Sequence, residues 1–207
     1  MAIDERRTSG VAQTDSDRRE ELLQAASRAI GRKGIDSVRL LDVAREAGVS
    51  IGALQHHFET RDALIVEAVE AIARLTAKSA VDASASTDDP WDSLVAVIGS
   101  LTPTDDPRLD AATWMELCAV ASRQPEYRPA VQLVQDHWRA VVLKIVKRGV
   151  RDGSFTLSLS AKETAEAILA LADGVQVTAA SELQEVSRAQ VQRRVLAAAA
   201  VLLGRSK

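Results

Sequence analysis

The residues able to do chemistry are few and scattered: three histidines and one cysteine in 207 residues. His56 and His57 are adjacent, while His137 and Cys118 stand far from them. Neighbouring residues on a helix point about 100° apart, so the histidine pair cannot chelate one ion. A lone cysteine permits neither an internal disulfide nor a cysteine-rich zinc site. The chain has no nucleophile motif, no phosphate-binding glycine loop and no HExxH spacing. An enzyme is therefore not expected, nor a resident cofactor or metal. What remains is recognition chemistry, concentrated in the run Val43-Ala44-Arg45-Glu46-Ala47-Gly48-Val49-Ser50-Ile51-Gly52-Ala53-Leu54.

That run reads as two short helices and a turn. Ala44 is small enough for the helices to cross, Gly48 tolerates positive φ in the turn, and Val49 plugs the corner. Leu54 and Phe58, at i and i+4, anchor the second helix to a core. Ser50, Ile51, Ala53, Gln55, His56 and His57 are left facing outward. A helix held this way offers its N-terminal half to base edges in a major groove, which admits one helix.

The elements that must position this helix follow from periodicity. Residues 1–16 are polar and aperiodic and read as a mobile arm, in which Arg6 and Arg7 are the basic residues. From Asp17 the pattern is helical, with Leu22, Leu23, Ala26 and Ile30 on one face and Gly34 as terminator. Helices are expected over 40–47, 51–58 (capped by Ser50) and from Arg61 (capped by Thr60) to about Asp82. The segment 83–90 is a composition break. Further helices are expected at about 91–101, 108–122, 126–152, 161–181, and from after Ser187 to Gly204, with Pro103, Pro107 and Pro125 at boundaries. The segment 154–160 alternates like a strand but has no partner strand, and reads as a loop. The fold class is all-α: an arm at 1–16, a helix-turn-helix domain at 17–62 and a second helical domain at 63–207.

Scarce aromatics, at 3%, agree with helices over sheets. A net charge of −3 argues against indiscriminate coating of nucleic acid, but specific binding needs only one basic face. The N-terminus lacks the apolar core of a signal peptide, and the longest apolar run, Val195 to Leu203, falls far below the roughly 20 residues a membrane span needs. A cytoplasmic location, with no membrane partner, is expected.

From Glu21 to Val69 the sequence resembles the TetR family of transcriptional regulators. The resemblance runs through LLxAA in the first helix, Gly34, DVAxEAGVS, GALxHHF and the RxALI that opens helix four. It departs at Gln55, where the family usually has Tyr, at Arg61, usually Lys, and at Arg39 and Leu40, where the family has Thr or Ser. It implies a homodimer reading a palindromic operator in double-stranded DNA, with Arg39, Ser50, Ile51, Ala53, Gln55, His56, His57 and Arg61 as DNA-binding residues. Gln55 can read adenine through its amide, and Arg61 can grip phosphate bidentately.

The C-terminal part matches the family loosely, through MELCAVASRQPEYRPAV and LADGV. Helices 161–181 and 188–203 carry more apolar surface than one face requires. Ile168, Leu169, Ala172, Val175, Val191, Val195, Leu196, Ala199 and Leu202 are therefore expected at a dimer interface, as the resemblance also implies. Trp114, Met115, Cys118, Leu133, His137 and Trp138 are candidate walls for a small-molecule effector of apolar character. Asp110, Glu116 and Asp136 could add cation selectivity. The function expected is a repressor released by a ligand. The alternative is a DNA-binding structural or adaptor protein with no ligand.

Overall fold

The computed structural model describes residues 5–102, 106–181 and 187–205, with the backbone alone for 5–14. Among them are nine α-helices and no strand: α1 (Glu5–Lys33), α2 (Leu40–Ala47), α3 (Ile51–His57), α4 (Arg61–Ser84), α5 (Pro90–Gly99), α6 (Pro107–Arg123), α7 (Arg128–Arg151), α8 (Ala161–Ala180) and α9 (Arg188–Leu202). A single 3-10 turn, Pro125–Tyr127, precedes α7. The all-α expectation holds. No helix among the described residues is long and apolar enough to cross a membrane.

The chain forms two compact units, Met1–Ile72 and Ala73–Lys207, dividing inside α4 rather than at its start. The stretch read as an arm is also different: α1 begins at Glu5, well before Asp17. Once 17–33 is helical, each further residue adds a hydrogen bond without a new nucleation cost, and no proline stops the extension. Residues 1–4, and the side chains of Arg6 and Arg7, lie outside the described residues.

The first unit buries Leu22, Ala26, Ile30, Ile35, Val38, Val43, Ala44, Leu54, Phe58, Leu64 and Ile65. Gly48 ends α2 at φ 67°, which lets its N–H and that of Val49 reach the last carbonyls of the helix. Ion pairs tie α1 to α2: Glu46 takes Arg28 at 2.8 Å and Arg32 at 2.5 Å, and Asp42 takes Lys33 at 2.6 Å.

The second unit packs α5, α7, α8 and α9 around Leu94, Val97, Ile98, Trp138, Val142, Ile145, Val146, Ile168, Val195 and Leu203. Ser160 and Ser187 begin α8 and α9 with capping boxes completed by Glu163 and Gln190. The segment after α7 is a loop, as its sequence indicates, and its Phe155 fills the core against Gly149. A Cβ at 149 would fall within the Phe155 ring. The next residue, Thr156, donates its N–H to the Leu203 carbonyl at 2.9 Å, pinning the loop to the end of α9. There the left-handed Gly204 (φ 62°) leaves no room for a Cβ beside the Thr156 carbonyl.

Candidate functional site

α3 has only seven residues and depends on its neighbours for orientation. Ser50 accepts the Ala53 N–H at 3.1 Å and starts the helix. Leu54 and Phe58 are buried beneath it, as their spacing requires. Arg19 of α1 then fixes its far end in three ways. Its guanidinium lies 4.3 Å over the Phe58 ring, donates to the His57 carbonyl at 2.8 Å and pairs with Glu67 of α4 at 2.6 Å. Sequence reasoning missed Arg19. Its only signal is an arginine on the first helix, which looks like any solvated charge.

Ser50, Ile51, Ala53, Gln55 and His56 are exposed together on α3. Ile51, at 39% exposure, is an apolar group held in water next to hydrogen-bonding side chains. His57 departs from this set. It is half-buried, with Nδ1 3.6 Å from Asp15 Oδ1, and its ring stands edge-on to His56 at 75° and 5.4 Å between centroids. The two rings therefore do not converge on a common point. Among the described residues no group of three His, Cys, Asp or Glu could hold a metal ion.

Arg39 is exposed at the start of α2, where its own N–H donates to Asp42 Oδ2 at 2.9 Å. That bond and Lys33 hold the Asp42 carboxyl below the usual range, with the Lys33 hydrogen bond the larger cause. Arg61 faces inward instead. Nε donates to the Val38 carbonyl at 2.8 Å, Nη2 to the Ile35 carbonyl, and Nη1 to Asp62 at 2.7 Å. This geometry makes Arg61 a clamp that joins the start of α4 to the loop before α2. The guanidinium satisfies two carbonyls that no helix ladder reaches, which outweighs a cation's poor fit to a helix N-terminus.

In the second unit the expected effector residues separate. Trp138 is core at 5% exposure, Leu133 is exposed, and His137 is half-buried with Nδ1 2.9 Å from the Leu133 carbonyl. Trp114, Met115 and Cys118 line α6, half-buried. The residue that joins this group, Asp173 of α8, was not anticipated; its place in LADGV looks like an ordinary solvated position. The Trp114 indole N–H donates to Asp173 Oδ1 at 3.1 Å. Asp173 has no ion pair among the described residues. Asp173 is exposed in the single chain, yet the atoms packed around its carboxylate desolvate it enough to raise its pKa, opposed by the Trp114 hydrogen bond. Burial, then the charge of Asp173, push the Cys118 thiol up to about 11. Asp136 is spoken for by Arg139 at 2.7 Å.

The expected interface list needs correction. Ile168, Ala172, Val191, Val195 and Ala199 are at most 1% exposed within a single chain, so a second subunit cannot reach them. α8 packs against α6, α7 and α9, which covers its Ile168 and Ala172 within one chain. Leu169, Val175, Leu196 and Leu202 remain half-buried. On α8 and α9 the most exposed large apolar side chains are Leu171, Val177 and Val201, the last at 80% exposure.

Comparison with known proteins adds a family to this geometry. Residues 22–68 match the family model of bacterial regulatory proteins, tetR family, and residues 90–204 that of the BetI-type transcriptional repressor, C-terminal. The chain is 30% identical over 133 residues to the HTH-type transcriptional regulator BetI of Agrobacterium fabrum, covering 63% of this chain and 64% of that one. It is 24% identical over 110 residues to the regulator PksA of Bacillus subtilis, covering 53% and 54%. The alignments thus span less than two thirds of these relatives' lengths. Among solved structures, a putative TetR-family regulator from Rhodococcus sp. superposes with a TM-score of 0.71 at 26% identity, covering 91% of this chain and 99% of that one. A putative regulator from Saccharomonospora viridis in complex with choline gives 0.74 at 23% identity, covering 87% and 94%, and shares the fold.

Proposed function

The chain belongs to the TetR family of bacterial regulatory proteins, with a C-terminal region of the BetI repressor type, and on that premise we propose that it is a homodimeric cytoplasmic repressor released from a palindromic operator by a cationic small molecule. It is a transcriptional regulator and not an enzyme. The observation that carries the DNA reading is the exposed face of α3, with Ser50, Ile51, Ala53, Gln55 and His56 set outward by the buried Leu54 and Phe58. Gln55 reads a base, Arg39 contacts phosphate, and Arg61 shapes the surface that both depend on. Two such helices in a dimer meet half-sites about 34–36 Å apart, one turn of the duplex. Leu171, Val177 and Val201 supply uncovered apolar surface for a partner on α8 and α9.

The effector reading rests on Asp173. Asp173 is open to a ligand, its surroundings disfavour the charged form, and it has no cation among the described residues, so a ligand that brings one stabilises it, and the Trp114 indole beside it suits such a ligand. This refines the apolar effector expected from Trp114, Met115 and Cys118 into an apolar body with a positive group. Choline, held by the Saccharomonospora viridis regulator, is a cation of that kind. Release requires the ligand to favour one arrangement of the dimer over the other. A coupling of about 1–3 kcal/mol lowers operator affinity roughly 5–150-fold. α4 runs through both units and is the proposed carrier of that coupling.

The test is selection of bound duplexes from a random pool with the wild type and Gln55→Ala, followed by a screen of cationic and neutral compounds for release. A palindromic consensus whose base preference shifts in Gln55→Ala supports the DNA reading. An unchanged consensus removes Gln55 as the reader, and release by neutral compounds alone removes the cationic effector.

A further inference from the structure

An open cleft of about 550 Å³ lies in the second unit, apart from Trp114 and Asp173, walled by α5, α9 and the end of α4. Its lining is charged at two points. Asp92 stands in the first turn of α5, and Arg188 in the first turn of α9. Neither is ion-paired among the described residues. Arg188 is oriented by one bond, from Nη2 to the Gly99 carbonyl at 3.2 Å, which leaves the rest of its donor fork for another acceptor. The Gly99 carbonyl holds the guanidinium at the C-terminal end of α5, and helix side chains tilt toward the N-terminal end, so the two charges stand at least as far apart along α5 as Asp92 and Gly99 do. Asp92 and Gly99 are two turns apart on α5, about 10 Å at 1.5 Å per residue.

At that distance, in a solvated cleft, the carboxylate and the guanidinium do little to neutralise each other. Between them lie polar groups with capacity to spare. Gln192 spends its amide N–H on the Val95 carbonyl at 3.0 Å, which leaves its carbonyl oxygen as an acceptor. The hydroxyls of Ser79 and Ser100 also line the space. The floor is flat at Gly99: a Cβ there would come within 3.3 Å of the Gln192 amide nitrogen.

We propose that this cleft is a second small-molecule site, taking a short zwitterion whose ammonium meets Asp92 and whose carboxylate is forked by Arg188. The ligand class is a short peptide of about two to three residues with both ends charged, since the two polar contacts of about 2.8 Å take up part of the span and an extended chain covers about 3.3–3.6 Å per residue. A single amino acid is too short to reach both ends, and a molecule with one charge engages half the site.

The test is calorimetric titration of the full chain with triglycine at low salt, using N-acetyl-triglycine amide, which has neither charge, as the comparison. Saturable binding of triglycine with a Kd of about 1 mM is expected, with no binding of the capped peptide. Arg188→Gln and Asp92→Asn are each expected to weaken it at least tenfold. Both side chains are exposed, and unchanged helical circular dichroism verifies that the fold survives. Gly99→Ala leaves both charges in place but crowds Gln192, and is expected to weaken binding by a smaller factor. Absence of saturable binding to the wild type, equal binding of the capped peptide, or full retention in both charge variants overturns the proposal.

Discussion

The two units differ in the contacts that tie their elements together. In the first, charged side chains cross between elements: Arg19 to Glu67 and the His57 carbonyl, Arg28 and Arg32 to Glu46, Lys33 to Asp42, Arg61 to two loop carbonyls. In the second, polar ties such as Arg148 to Ser93 at 2.5 Å and Arg139 to Glu166 at 3.9 Å are joined by close steric fits, with Phe155 on Gly149 and Thr156 on Gly204. The uncommitted chemistry differs accordingly. Where ionic ties fix the framework, the free groups are the outward side chains of α3. In the second unit the uncommitted groups include the Asp173 carboxylate beside Trp114 and the charges of Asp92 and Arg188. The contrast indicates where each unit tolerates change: the first at its charges, the second at its surface.

The most severe test of this contrast is Phe58→Ala. It removes a ring that is 2% exposed and that also seats Arg19, and is expected to cost about 3–5 kcal/mol, read as a lowered urea midpoint, with loss of operator binding. A loss below about 1 kcal/mol would show that the ionic ties hold α3 without the core. Gly149→Ala probes the second unit. Forcing a methyl group into the Phe155 ring is expected to cost about 1–3 kcal/mol by thermal unfolding, although the added residue is the better helix former. A neutral result would mean that Phe155 yields easily and that the unit is not sterically locked.

Asp173→Asn sharpens the comparison through opposite effects on stability and binding. Desolvation holds the Asp173 pKa in the folded chain above its unfolded value. Below the unfolded pKa both states keep the proton and nothing is lost. As pH rises through the unfolded and then the folded pKa, the unfolded chain releases its proton first, so stability falls, and the full penalty remains at neutral pH. The asparagine variant is expected to be at least as stable as the wild type at pH 7, with cationic effectors bound about tenfold more weakly, about 1.4 kcal/mol. A stability loss at pH 7 would instead assign Asp173 a structural role. The smallest effect belongs to Glu46→Gln, which loosens the half-buried Arg28 and the exposed Arg32. A cost of about 0.5–1 kcal/mol is expected, shrinking in molar salt; a salt-independent cost would mean a packing role for Glu46.

What was legible in the sequence were features set by adjacent residues. Gly48 marks the end of α2 at Ala47, and Ser160 and Ser187 mark the starts of α8 and α9 that they cap. Leu54 and Phe58 identified the buried side of α3, and hence its exposed side. Features set by distant partners were not legible. Whether Ile168 or Val195 meets a neighbouring helix or a second subunit depends on how α6, α7 and α9 surround α8, which periodicity does not encode. Arg61 showed its charge but not the carbonyls of Ile35 and Val38, which lie a full loop away. Asp173 gave no sign of itself, because its significance comes from Trp114 and Cys118 on a different helix.

The single cysteine gives this arrangement a chemical readout of its own. With its thiol at about 11, Cys118 is deprotonated in roughly one molecule in ten thousand at pH 7, and alkylation by iodoacetamide is correspondingly slow. Part of that suppression is the negative field of Asp173, so the rate of alkylation reports the charge state of the carboxylate beside it. Neutralising the carboxylate by Asp173→Asn should accelerate the reaction without any change at the sulfur itself. Since no other thiol is present in the sequence, bulk mass spectrometry on the unlabelled wild-type chain can follow the electrostatics of this one corner of the protein over time.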